Sequence, residues 1–169
     1  MYIGVSSMFK VGDVIVYGAQ GICKIDSCET KQIGRQSVDY YVLKPLYNPN
    51  TAVFVPLENE GLVAKMLSVL SKTQAESLVR KIPQITIIEI KDDNAKREEY
   101  KNILASGNRE RIVSVIKTIR FERDIRRENG KRLNMIDEQI LRKAELLLYN
   151  ELAFVMGVAP DEVQSIIKF

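Results

Sequence analysis

The spacing of apolar residues changes near residue 57. From residue 10 to residue 56, short alternating or β-branched apolar runs are broken by Gly, Asn and Pro, the pattern of strands joined by turns. Residues 11–17 read as a first strand. Residues 22–33 read as a second, interrupted near its middle. A turn at Gly34-Arg35-Gln36-Ser37 leads into a third over residues 38–46. Asn48-Pro49-Asn50 then bends the chain into a last strand over residues 51–56, because Asn tolerates positive φ and Pro presets the turn.

Beyond residue 57 the apolar residues recur at three and four. Ser71 and Gln74 have capping-box spacing, which predicts a helix from there to about Ile82, where Pro83 stops it. A polar, β-branched linker over residues 84–91 precedes a helix at about 94–105. Gly107 suits a left-handed helix end and Asn108 the next N-cap, so a further helix is expected over residues 109–128. Asn134 caps a long helix reaching about Met156, with Ile140, Ala144, Leu147, Leu148, Leu152 and Val155 as its apolar stripe. Pro160, Asp161 and Glu162 open a terminal helix to about Lys168.

The fold class is therefore α+β. Four or five short strands in under sixty residues fit a small Tudor- or SH3-like β-barrel, since an open sheet of that size leaves long edges unpaired. An all-α bundle of about five helices follows. The expected division is an N-terminal extension at residues 1–7, a barrel domain at 8–62 and a helical domain at 63–169.

Composition narrows the chemistry. The chain has no histidine, which removes the commonest general base and neutral metal ligand. Its two cysteines, Cys23 and Cys28, are five apart in one strand, a spacing that puts them on opposite faces and argues against a disulfide or shared metal site. No Gly-rich phosphate loop or nucleophile motif is present, and Asp137 and Glu138 are neighbours on a helix that cannot converge on one point. No enzymatic activity, cofactor or metal is expected. No apolar run approaches the roughly 20 residues of a membrane span, and the start lacks a signal-peptide pattern, so a cytoplasmic monomer is expected.

The net charge of +3 is small, but its distribution is uneven. Between Arg109 and Arg132 nine basic residues stand against four acidic ones. Arg120, Arg123 and Arg127 lie three and four apart, so one helix face could follow a phosphate backbone. With Lys117 and Arg132 they form the candidate DNA-binding set. The competing reading is a solvated face whose charges pair at helical spacing.

The run Met8-Phe9-Lys10-Val11-Gly12-Asp13-Val14-Ile15-Val16-Tyr17, followed by Gly18-Ala19-Gln20-Gly21, resembles the opening of the CarD/CdnL family of bacterial RNA polymerase-binding transcription regulators. Glu29-Thr30-Lys31, Tyr41-Val42-Leu43-Lys44 and Val55-Pro56-Leu57-Glu58-Asn59 extend the resemblance. Leu104-Ala105-Ser106-Gly107, Leu147-Leu148 and Glu151-Leu152-Ala153 carry it through the helical half. The barrel alone also resembles the polymerase-interacting domain of the transcription-repair coupling factor.

The resemblance implies that the barrel binds the polymerase β subunit. It also implies that the helical domain touches promoter DNA just upstream of the melted region and modulates the open complex. Lys31 matches a basic family position at the polymerase contact, and Phe54 replaces a second basic residue of some relatives. Lys31, Gln32, Arg35, Val53 and Phe54 are the candidate polymerase-binding residues. The bland alternative makes Lys31 and Arg35 solvated turn residues and Phe54 core. One of Tyr40 and Tyr41 must face out of the sheet, and the sequence leaves open which. Many family members carry a tryptophan near the start of the helix at residue 94, where it wedges at the minor groove. This chain has no Trp, and an ungapped alignment puts Asp93 there. DNA contact is then expected to rest on the downstream basic helix, with a helical domain that instead meets another protein as the alternative.

Overall fold

The structure, a computed structural model, describes residues 9–169; the expected extension at residues 1–7, together with Met8, lies outside the described residues. Strands β1 (Val14–Tyr17), β2 (Gly21–Ile33), β3 (Gln36–Pro45) and β4 (Val53–Pro56) are followed by a one-turn helix α1 (Glu60–Val63) and strand β5 (Met66–Ser68). They form one antiparallel sheet in the order β4-β3-β2-β1-β5. All five strands send side chains into one core of Ile15, Cys23, Ile25, Tyr41, Leu43, Val55 and Met66, joined by Phe9. The sheet thus wraps its own interior, as the Tudor-like reading requires. Tyr41 is the inward tyrosine, and its hydroxyl donates to the Phe9 carbonyl at 3.0 Å.

Two differences from the sequence reading have local causes. The first strand begins at Val14 rather than at residue 11, because Gly12 (φ 94°) turns the chain and the Asp13 carboxylate accepts the Lys10 amide at 2.9 Å. The sheet also does not end at residue 62. Met66, Leu67 and Ser68 pair with Tyr17, Val16 and Ile15, so residues assigned to the helical half close the edge of the sheet. A strand of three residues is too short for alternation to reveal.

The interruption in the second strand is a β-bulge between Ile25 and Ser27. The extra residue, Asp26, pairs through its carboxylate with Lys44 at 2.8 Å. A bulge shifts the count of which side chains face inward. Before it, Cys23 and Ile25 point into the core; after it, Cys28, Thr30 and Gln32 take that side. Cys23 and Cys28 therefore share a face, contrary to the simple alternation expected, and both remain free thiols.

The helical half comprises α2 (Lys72–Lys81), α3 (Asp93–Ser106), α4 (Arg109–Glu128), α5 (Met135–Met156) and α6 (Pro160–Ile166). Its boundaries follow the expected caps. Ser71 and Gln74 form a reciprocal capping box, and Asp92, Asn108 and Asn134 cap α3, α4 and α5. The core draws Leu78 and Ile82 from the α2 end, Tyr100 and Ile103 from α3, Ile112, Ile116 and Ile119 from α4, and Leu148 and Leu152 from α5. The linker before α3 runs along α4, where the Ile88 amide donates to Thr118 Oγ1 at 2.8 Å.

The two halves pack closely. A Cβ at Gly18, in the tight turn between β1 and β2, would stand 3.0 Å from the Ala105 carbonyl oxygen near the end of α3. One at Gly107, left-handed at φ 68°, would stand 2.8 Å from Leu67 of β5. Both have positive φ, which disfavours any side chain, and at Gly18 the neighbour is backbone that cannot move aside.

Candidate functional site

The outward face of the sheet gathers an aromatic and cationic patch. With Asp26 as the extra residue, Lys31 comes out on the same side as Tyr40 and Phe54. The Lys31 ammonium lies 3.4 Å from the centroid of the Phe54 ring, and Tyr40 meets that ring edge-on at 6.2 Å and 85°. Phe54 is 40% exposed although it sits in a strand with a buried neighbour, Val55. It is therefore not core. A cation over an aromatic face is held by the ring quadrupole, which fixes Lys31 without removing it from solvent.

Phe54 lies on β4, which among the described residues pairs only with β3, so the far edge of β4 has no strand beside it. Such an edge can accept a strand from another chain. Arg35 stands at the exposed tip of the β2–β3 hairpin, after Gly34 (φ 62°). Gln32 and Val53, also candidates from the sequence, fall on the other face. Gln32 Nε2 donates to Ser37 Oγ at 2.7 Å across the hairpin, and Val53 packs on the sheet core. The sequence does not single out Tyr40 as a contact; counting alternation outward from the bulge would find it.

The basic residues of the helical half divide by what they touch. Lys117 donates through Nζ to the Ile82 and Pro83 carbonyls at 3.0 and 3.2 Å, closing the end of α2. Arg120 reaches α5, with Nε 2.9 Å from Glu145 and Nη2 2.8 Å from the Tyr149 hydroxyl, and it lies over the Phe169 ring. Both are engaged within the chain. Arg123, Arg127 and Arg132 form no ion pair among the described residues. Arg127 and Arg132 are exposed at the α4 end and the following turn, and Arg123 is half-buried with its Nε lacking a partner. The face expected to carry Arg120, Arg123 and Arg127 together thus begins with a residue turned toward α5.

The start of α3, where the family resemblance expects an apolar wedge, is built from charge. Asp93 lies 3.2 Å and Glu122 2.8 Å from the buried Lys96 ammonium, tying α3 to α4. Arg97 pairs with the buried Asp137 through Nε at 3.0 Å. Burial pushes the Asp137 carboxyl up, but hydrogen bonds and charge from Arg97, with Asn134 and Lys96 behind them, outweigh it and hold the group below its usual range. Glu99 pairs with Arg111 at 2.6 Å.

A shallow cleft of about 490 Å³ lies between α2 and the α3–α4 corner. Its titratable residues are all paired, Lys81 with Glu110 at 3.0 Å and Arg109 with Glu151 of α5, outside the cleft, at 2.8 Å. Among the described residues no group of three or more His, Cys, Asp or Glu is placed to hold a metal, and no helix is long and apolar enough to cross a membrane.

A Tudor-like sheet with an aromatic–cationic outer face, coupled to a five-helix domain, defines a two-domain binding architecture. Residues 9–67 match the family model described as the CarD-like/TRCF RID domain, and residues 85–168 match that of the CarD C-terminal domain. The chain belongs to the CarD-like family. It is accordingly an RNA polymerase-interacting transcription regulator of a non-enzymatic family.

Proposed function

We propose that the protein binds the β subunit of bacterial RNA polymerase through the outward face of its sheet and modulates the stability of promoter open complexes. The observation that carries this reading is the Lys31–Phe54–Tyr40 patch beside the unpaired edge of β4. A strand of the β subunit added to that edge gains main-chain hydrogen bonds, and Phe54 and Lys31 supply an apolar contact and a charge. Arg35 extends the cationic surface at the hairpin tip. The protein acts in the cytoplasm by binding, without catalysis.

The helical domain contacts DNA weakly and without sequence preference, through Arg123, Arg127 and Arg132. Asp93 replaces the family wedge with a carboxylate engaged by Lys96. Nothing at the start of α3 then inserts between bases, and a carboxylate there repels phosphate. The effect on open complexes is therefore smaller than that of a wedge-bearing relative. A second reading makes the helical domain a docking surface for another protein, favoured by Phe121 and Ile125, which stand 52% and 43% exposed one turn apart on α4.

The test is a pull-down of the β subunit with wild type and with the Lys31→Glu/Arg35→Glu double variant, alongside open-complex lifetimes on a defined promoter. Loss of β-subunit capture with a folded variant supports the proposed face. Undiminished capture removes it.

A further inference from the structure

The last strand of the sheet, the segment leading into α2, the start of α4 and the later part of α5 meet at one pair of side chains. Arg109 is the first residue of α4. Its guanidinium grips the Glu151 carboxylate of α5 with two bonds, Nε to Oε2 at 3.0 Å and Nη2 to Oε1 at 2.8 Å. The same Nη2 donates to the Ser68 carbonyl of β5 at 2.9 Å. Glu151 Oε1 also accepts the amide of Leu70, in the segment leaving the sheet, at 3.0 Å. Glu151 is 3% exposed.

A buried carboxylate requires a partner of matching geometry, and the planar fork of arginine supplies it. Here the same two side chains also satisfy a main-chain donor and a main-chain acceptor from the connection between the domains. Close by, Gly18 faces the Ala105 backbone near the end of α3 and Gly107 faces the Leu67 side chain, so that an added Cβ would stand within about 3 Å of either neighbour. The joint is thus bonded at its centre and packed against the Gly18 turn, with the shallow cleft opening beside Arg109.

We infer that Arg109 is a positioning residue: held by Glu151, it locks the sheet and the helical domain at one angle, so that a sheet seated on polymerase delivers the helical domain to one place. This rests on the proposed function, in which the two domains act on one promoter complex. In this role Arg109 and Glu151 act through the angle between the domains and need no contact with polymerase or DNA.

The lock and its functional consequence are tested separately, on the full chain. Spin labels at Ser37→Cys on the β2–β3 hairpin and Gln139→Cys on α5, with Cys28 changed to Ser and Cys23 buried, report the distance between domains by pulsed electron resonance. Wild type gives one narrow distribution. Arg109→Gln widens it or splits it, and Arg109→Lys, which keeps the charge but not the fork, falls between. Should Arg109→Gln fail to fold, Glu151→Gln retains an acceptor for Leu70 and serves in its place. In unlabelled protein, Arg109→Gln keeps wild-type capture of the β subunit while its effect on open-complex lifetime falls about tenfold, as expected when a bound module is presented at the wrong angle.

An unchanged distance distribution overturns the lock. A widened distribution with an undiminished effect on lifetime overturns the positioning role. If wild type neither captures polymerase nor alters lifetime, the functional reading fails and the distance measurement still decides the lock.

Discussion

The Lys31 ammonium rests 3.4 Å from the centre of the Phe54 ring, on the outer face of the sheet. The two residues come from strands separated by β3, and neither belongs to the core. Each orients the other, so the patch presents an arranged surface.

Phe54→Ala should weaken β-subunit binding about tenfold, or roughly 1.4 kcal/mol, the usual loss for an aromatic anchor at an interface. Gln32→Ala, on the opposite face, should leave it unchanged. Surface plasmon resonance with the β subunit separates the two. Equal losses would mean that the face has been misplaced.

Replacing Arg127 and Arg132 with Ala should reduce the salt dependence of binding to an upstream-fork promoter fragment in the presence of polymerase. Every phosphate that goes without its arginine lowers the log–log slope by about one. Arg120→Ala should leave the slope alone but destabilise the fold by about 2 kcal/mol in chemical denaturation, since its guanidinium bridges α4 to Glu145 and Tyr149. A slope that is flat in wild type would favour the protein-docking reading of the helical domain.

Acid should loosen the junction of α3 and α5. Asp137 titrates below its ordinary value of 3.8 in the folded chain, so its contribution is present above that pH and is lost as pH falls through the lower folded value. Asp137→Asn should lower Tm at neutral pH, and the gap from wild type should begin to close below about pH 4. A gap independent of pH would assign the loss to packing rather than to the Arg97 pair.

The two thiols should react unequally. Cys28 is exposed, whereas burial pushes the Cys23 thiol up to about 11. A disulfide reagent at pH 8 should titrate Cys28 in native protein and reach Cys23 only on unfolding. Equal rates would show that the sheet opens readily around Cys23.

The helical half was largely legible in the sequence because its signals are local. Ser71 with Gln74, Asn108, Asn134 and Gly157 each act within one turn of the residue that they cap. The sheet was less legible because its signals are not. Strand β5 exists only through pairing with the distant β1, and Tyr40 could be told from Tyr41 only with the bulge located. The charges were legible as a count but not in their allocation. Arg120 and Arg127 differ little in sequence context, yet one is claimed by Glu145 and Tyr149 and the other faces solvent. Partners 25 and 29 residues distant leave no mark on a helical wheel.

Asp26 acts as a change of parity in the chain. Upstream of it odd-numbered residues of β2 face the interior; downstream the even-numbered ones do. Deleting that one residue would restore plain alternation and leave Lys31 outside, so β2 can shorten by a codon there without exchanging its faces. What the deletion would remove is the bend and extra twist that a bulge imposes. The hairpin carrying Lys31 and Arg35 would then be re-aimed with its surface chemistry intact. Strand length at this point is thus a steering adjustment, open to evolution separately from the residues that make the contact.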